Sequence, residues 1–307
     1  MMNLTLVLLF GFLLGLLAAV GYYYDLSGYF MVGMALAILF IQWFVGPSII
    51  RWTTNMRPIE RGEFVWLQKD VADICKKTKS PVPQMALVRS GQPNAFVFGR
   101  TPGSATLVVT EGLLNSLNKD EVRAVVAHEI GHIKHKDMVI MTIVSAIPVI
   151  TYYVARFLVF TPKSSNDRRG GAAILVGIAA FLVYFVTNLL VLALSRFREY
   201  YSDRFSGENT NPMLLASALA KITYGLGMSK ERENVAVRSF YIADPVTAAS
   251  ETSKFSSEYS DFQLTDKELA SAMEWERGNV FARISEIFAT HPLTFKRIAV
   301  LRQMGKK

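Results

Sequence analysis

A single cysteine, Cys75, in 307 residues leaves no partner for an intramolecular disulfide and suits a reducing compartment. Histidine is nearly as scarce, with four in the whole chain. Charge is missing from two long stretches: residues 4–24 and 28–50 contain no Asp, Glu, Lys or Arg. That absence, with a hydrophobic content of 51%, excludes an ordinary soluble chain. Each stretch can cross a hydrocarbon core of about 30 Å as a helix. No basic region precedes the first stretch, and its apolar run exceeds the roughly 7–15 residues of a signal-peptide core, so it reads as a retained helix and not a cleaved leader. Internal repeats and low-complexity tracts are also missing. The net charge of +8 comes without a basic stripe, so nucleic acid is not an expected partner, whereas an anionic bilayer surface is.

Two further apolar segments follow at residues 138–160 and 172–194. The third carries Arg156 near its end, where a long side chain can snorkel, and reads either as a crossing or as a re-entrant partner of the fourth. Four crossings divide the chain into an N-terminal membrane hairpin (1–50), a first polar part (51–137), a second hairpin (138–195) and a second polar part (196–307). Both polar parts then share one face with Arg51, Arg57, Arg61, Lys134, Lys136, Arg196 and Arg198. The other face has Asp25 in one loop and Lys163, Asp167, Arg168 and Arg169 in the other. Seven basic residues against three predict a multi-pass protein of the cell membrane with its polar parts in the cytoplasm.

Within 51–137 the pattern is mixed. Residues 63–77 place Phe64, Leu67, Val71, Ile74 and Cys75 on one helical face, and the prolines of "KSPVPQ" end that helix. Three short strands are expected at 84–90, 94–100 and 105–110, forming a small antiparallel sheet. Asn118 and Glu121 have capping-box spacing and open a helix whose apolar face is Val122, Val125, Val126 and Ile133. Asn211-Pro212 opens another helix. Residues 244–264 read as a loop, and Thr265 with Glu268 opens a helix to about Phe288.

The helix after Asn118 holds three of the four histidines, in "AVVAHEIGHIKHKD". His128 and His132 are four apart, so both imidazoles project from one face and can close on a single ion. Glu129 is rotated by about one hundred degrees from His128, too far to ligate beside it but placed to reach a water held at the ion. Nitrogen donors with an oxygen donor suit Zn2+. A catalytic zinc needs a third protein ligand. His135 lies one turn too far along, and the eleven-residue three-histidine pattern would need histidine where Met138 stands, so His135 is set aside as solvated or supporting. Glu199 is the better ligand. His132 lies six residues before the third segment and Glu199 five after the fourth, so an antiparallel hairpin brings them to one height, roughly 8–9 Å beyond the lipid core. Asp203, four residues on, faces the same way.

"HEIGH" after a "NAF" strand, an E-x-x-x-D helix after a membrane hairpin, then "NP" and "THPLTFKRI" resemble the HtpX family of membrane zinc metalloproteases, from about residue 60 to 303. The resemblance implies a gluzincin. His128, His132 and Glu199 would bind one Zn2+, Glu129 would be the catalytic base, and Asp203 would hold a zinc histidine. His291, in the His-Pro motif, would stabilise the transition state, and Asn94, Ala95 and Phe96 would line the substrate cleft. Phe295, where a polar residue is usual, and the 244–264 loop depart from the pattern and bear on substrate preference. The expected fold is a membrane protein of α+β class: four transmembrane helices plus a mainly helical zincin-like domain with a small antiparallel sheet. The expected activity is endoproteolysis of unfolded or damaged membrane proteins at the cytoplasmic face. Two alternatives stand beside it: a processing peptidase resembling the prenyl-protein proteases, and a non-catalytic membrane scaffold with a structural zinc. Nothing in the sequence sets the oligomeric state.

Overall fold

The computed structural model describes residues 28–160, 170–226, 273–274 and 276–306. The segment 4–24, the loop at 161–169, the 244–264 loop and the Thr265–Glu268 pair lie outside the described residues. The chain divides into two compact units, one of Met1–Gly46 with Val139–Ser195, the other of Pro47–Met138 with Arg196–Lys307.

In the first unit, helices α1 (Gly28–Thr54) and α5 (Asp137–Phe160) cover the second and third apolar segments, and α6 (Gly170–Asn209) covers the fourth. Among the described residues, Gly177–Asn209 is the stretch long and apolar enough to cross a membrane. Tyr152 of α5 stands against the rings of Phe181 and Tyr184 of α6, and Val144, Ile147, Ile150, Ala155 and Ala180 of the two helices are buried.

The second unit holds a four-stranded sheet and the helices packed on it. Its strands are β1 (Arg57–Pro58), β2 (Gln84–Val88), β3 (Ala95–Phe98) and β4 (Thr106–Thr110), in the order β1-β2-β4-β3. The sheet is mixed, which corrects the antiparallel expectation. β2 runs parallel to β4 in the register Gln84↔Thr106 to Val88↔Thr110, while β3 pairs antiparallel on β4's other side. Alternating polarity is the same for either direction, and the 17 residues between Val88 and Thr106 are enough to carry the chain round β3 and back. β3 is consequently an edge strand.

Helix α2 (Val65–Thr78) buries Leu67, Val71, Ile74 and Cys75, and burial pushes the Cys75 thiol up to about 11, which keeps it protonated. A short helix α3 (Glu111–Ser116) leads into α4 (Lys119–Lys134). The α4 cap is formed as its spacing predicts: Asn118 Oδ1 accepts from Glu121 N at 2.9 Å and Glu121 Oε2 accepts from Asn118 N at 3.0 Å. The Glu121 carboxylate also receives Ser217 Oγ at 2.7 Å, which ties the cap to α7 (Pro212–Leu226). Val122, Val125, Val126, Ile130 and Leu219 share one core with α2, and each fully buried side chain of this size contributes about 1.5–3 kcal/mol. The helix expected to run to Phe288 is broken at Asn279. Its Oδ1 accepts from Phe281 N and Ala282 N and starts α8 (Val280–Ser285), followed by a 3-10 turn at Glu286–Phe288. Helix α9 (Thr294–Met304) closes the unit against α7.

Candidate metal centre

Two helices and one loop build the site. Helix α4 brings His128, Glu129 and His132, and α6 brings Glu199 and Asp203. Their close crossing depends on Gly131, where a Cβ would come within 3.2 Å of Ser202 Cα, Ser202 Oγ and the Phe205 ring. Ser206 Oγ fastens the same crossing by donating to the Ala124 carbonyl at 2.7 Å. The His-Pro loop is fixed by two carboxylates, the buried Glu276 and the half-buried Glu286. Glu276 accepts from Thr294 N and Phe295 N at the start of α9, and Glu286 accepts from Leu293 N.

His128, His132 and Glu199 each offer a ligand atom, all within 4.8 Å of one another. His128 Nε2 stands 3.2 Å from His132 Nε2 and 3.5 Å from Glu199 Oε2, and His132 Nε2 is 3.4 Å from Glu199 Oε1. Three donors at about 2.1 Å from a tetrahedral zinc stand roughly 3.4 Å apart, so the spacing fits. The tautomers fit as well. His128 Nδ1 faces Asp203 Oδ1 at 3.0 Å and His132 Nδ1 faces Asp137 Oδ2 at 2.6 Å. A carboxylate only accepts, so a neutral imidazole at either place carries its proton on Nδ1 and leaves the Nε2 lone pair for a metal. The two Nε2 atoms then face each other beside the Glu199 carboxylate, whose Oε2 also lies 3.0 Å from Arg297 Nη1. A cation satisfies all three at once.

Arg297 organises the carboxylates behind this group. It is 2% exposed, donates from Nε and Nη2 to Asp203 at 2.8 and 2.7 Å, and lies 3.0 Å from Glu199 Oε2 through Nη1. Burial opposes the charge on Glu199, but His291 and Arg297 outweigh it and hold the carboxyl well below its usual range. Asp203 is likewise held down against burial by Arg297 and His128. Glu129 is different. Burial pushes its carboxyl up, only partly offset by His128 and His132, so it is a better proton acceptor than an exposed glutamate. Arg198 pairs with Asp137 behind His132 and is lowered to about 10 by burial.

His291 joins the cluster, with Nε2 3.8 Å from Glu199 Oε1 and Nδ1 2.9 Å from Thr290 Oγ1. His135 does not. It is the C-cap residue of α4 and packs edge-on to Tyr201 and Phe205. Asn94 is buried at the head of β3, where its amide N–H meets Thr110 Oγ1 at 2.8 Å. The Ala95 and Phe96 side chains point into two different core clusters, so whatever β3 offers a ligand comes from its main chain. Sequence reasoning missed Arg297, Asp137 and Arg198.

Residues 62–305 match the model of peptidase family M48. The chain belongs to peptidase family M48. With its His/His/Glu group capable of coordinating a metal ion, this M48 protein is a zinc metallopeptidase. A protease HtpX homologue of Methanothermobacter thermautotrophicus is 40% identical over 227 residues, 73% of this chain and 85% of that one. A protease HtpX homologue 2 of Methanosarcina acetivorans is 33% identical over 285 residues, 91% of this chain and 85% of that one. The fold is similar to that in a crystal structure of S. mikatae Ste24p, with a TM-score of 0.54 at 19% identity. That match covers 98% of this M48 chain and 64% of the Ste24p chain, so the chain spans under two thirds of that protein's length.

Asp203 and Asp137 face the Nδ1 atoms of His128 and His132, so if they set which ring nitrogen is free, Asp203→Asn and Asp137→Asn should each weaken zinc binding about 10–100-fold. Competition against a chromophoric chelator measures this. Affinity unchanged in both variants would remove the two aspartates from any orienting role.

Proposed function

We propose that this M48 peptidase is a membrane-integrated zinc endopeptidase that cleaves misfolded or damaged membrane proteins at the cytoplasmic face. The observation that carries the reading is the convergence of His128, His132 and Glu199 beside the buried Glu129. Those three side chains would hold Zn2+, which when bound acidifies water and polarises a carbonyl. Glu129 takes the proton of the attacking water and returns it to the leaving amide nitrogen. His291, whose Nε2 lies 3.8 Å from Glu199 Oε1, donates a hydrogen bond to the developing oxyanion. Asp203 and Asp137 keep the two zinc histidines in their binding tautomer, and Arg297 holds Asp203 and Glu199 ionised. A client chain adds a strand beside β3, headed by Asn94, and is read through its main chain. Recognition of that kind suits unfolded segments of varied sequence.

Membrane integration is supported by the apolar length of α6 and by its exposed Leu175, Ile178, Leu182 and Phe185. Leu36, Phe40, Ile41 and Phe44 of α1 are exposed in the same manner. We read four crossings, with the basic residues flanking the catalytic parts placing them in the cytoplasm.

Cysteine labelling tests that arrangement. In a Cys75→Ala background, Ser165→Cys should react with a membrane-impermeant maleimide in intact cells, and Ser257→Cys only in opened ones. Protection of Ser165→Cys in intact cells with reaction in opened ones would turn the third and fourth segments into a re-entrant hairpin. Labelling of Ser257→Cys from outside would reverse the orientation.

A further inference from the structure

We propose that residues 280–288 form a lip seated in the bilayer interface on the catalytic side, with Val280, Phe281, Ile284, Ile287 and Phe288 inserted among the lipids. The proposal rests on α6 crossing the membrane. These five side chains are 47–76% exposed, while Ala282 between them is buried. Their spacing is that of one helical face, carried by α8 and the 3-10 turn after it. Five large apolar side chains facing outward within nine residues form a patch of the kind that marks an interaction site.

The anchoring of the segment identifies the partner as lipid. Arg196 Nη1 donates to the carbonyls of Glu286 at 2.8 Å, Ile287 at 3.1 Å and Ala289 at 2.8 Å. Arg196 is also the first charged residue of α6 after the uncharged run 170–195. A helix that crosses by that run leaves Arg196 at the water edge of the hydrocarbon, the depth at which a terminal arginine settles. A segment whose carbonyls are fastened to that guanidinium sits at the same depth. Arg277 and Arg283 are exposed beside the apolar face, and basic side chains flanking Phe and Ile are the chemistry of a helix lying on anionic lipid. His291 follows Phe288 by three residues, so the lip would hold the metal centre close to the membrane surface. A client leaving the bilayer would then meet the site with its membrane-proximal, unfolded main chain.

Depth-dependent quenching tests the lip in the full chain. Single cysteines replace Phe281, Ile284 or Phe288 in a Cys75→Ala background, are labelled with an environment-sensitive fluorophore, and are reconstituted in vesicles of phosphatidylcholine and phosphatidylglycerol. Lipids carrying a nitroxide near the headgroup should remove most of the signal at all three positions and leave a label at the exposed Asp120 of α4 unaffected. A fifth label at Leu182 of α6 monitors the crossing itself and should be quenched by nitroxides deep in the acyl chain. Loss of quenching at 281, 284 and 288 with Leu182→Cys still quenched overturns the lip and leaves the crossing intact. A blue-shifted but unquenched label at those three positions also overturns it, because another part of the chain or a second copy then covers the face. An unquenched Leu182→Cys overturns the crossing, and the lip with it.

Discussion

Glu129→Gln should leave zinc bound and the protein folded while casein cleavage falls by roughly 10²–10⁴-fold, the usual contribution of a positioned general base. Glutamine keeps the size and polarity of the side chain but cannot accept a proton. Glu129 lies outside the three-residue metal group, so its charge is not needed to hold the ion. Nor is the charge needed for folding: burial disfavours it, and the neutral amide is no harder to accommodate. Metal analysis and circular dichroism on the purified variant check both halves. Zinc lost together with activity would move Glu129 into the ligand set and break the assignment of roles.

Glu199→Ala should have the opposite signature, with zinc content and activity falling together. It removes one of three protein donors, so the affinity loss should exceed the roughly 10–100-fold typical of residues that only support a ligand. The fold should survive, because Arg297 retains both of its hydrogen bonds to Asp203. His291→Ala is the informative partner. It should lower turnover by about 10²–10³-fold, as loss of an oxyanion donor does, and keep its zinc. Zinc analysis and steady-state cleavage on the two variants separate a ligand from a transition-state donor. Full zinc in Glu199→Ala would bring His135 back as a ligand candidate, despite its place at the C-cap between Tyr201 and Phe205.

Helix α4 was the most legible part of the molecule. Its cap, its buried face and the helical spacing of His128 and His132 are all local, and local pattern fixes them. The three longer strands were legible for the same reason. The sheet's direction was not, because strand alternation carries no sign of which neighbour is parallel, and β1 has two residues, too few for any period. The break at Asn279 was hidden by apolar residues that continue at helical spacing beyond it. Arg297 was missed because "TFKRI" reads as an ordinary amphipathic turn, with an arginine that water would solvate. Its burial depends on carboxylates 94 and 98 positions away in sequence. A signal was present: Thr294, Arg297, Ile298 and Leu301 are the buried face of α9, and an arginine on that face needs an acidic partner. A buried charge stripped of its partner costs about 3–5 kcal/mol, so Arg297, Asp203 and Glu199 have to be read as a set. Asp137 stands outside α4 altogether, as the first residue of α5, where no periodicity links it to His132.

The central claim is that zinc held by His128, His132 and Glu199 makes this M48 chain an endopeptidase. One preparation of the full-length protein decides it, with zinc content and casein cleavage measured before chelation, after chelation, and after Zn2+ is returned. Cleavage should disappear with the zinc and return with it in proportion to the metal restored. Cleavage that persists in the metal-free protein would contradict it.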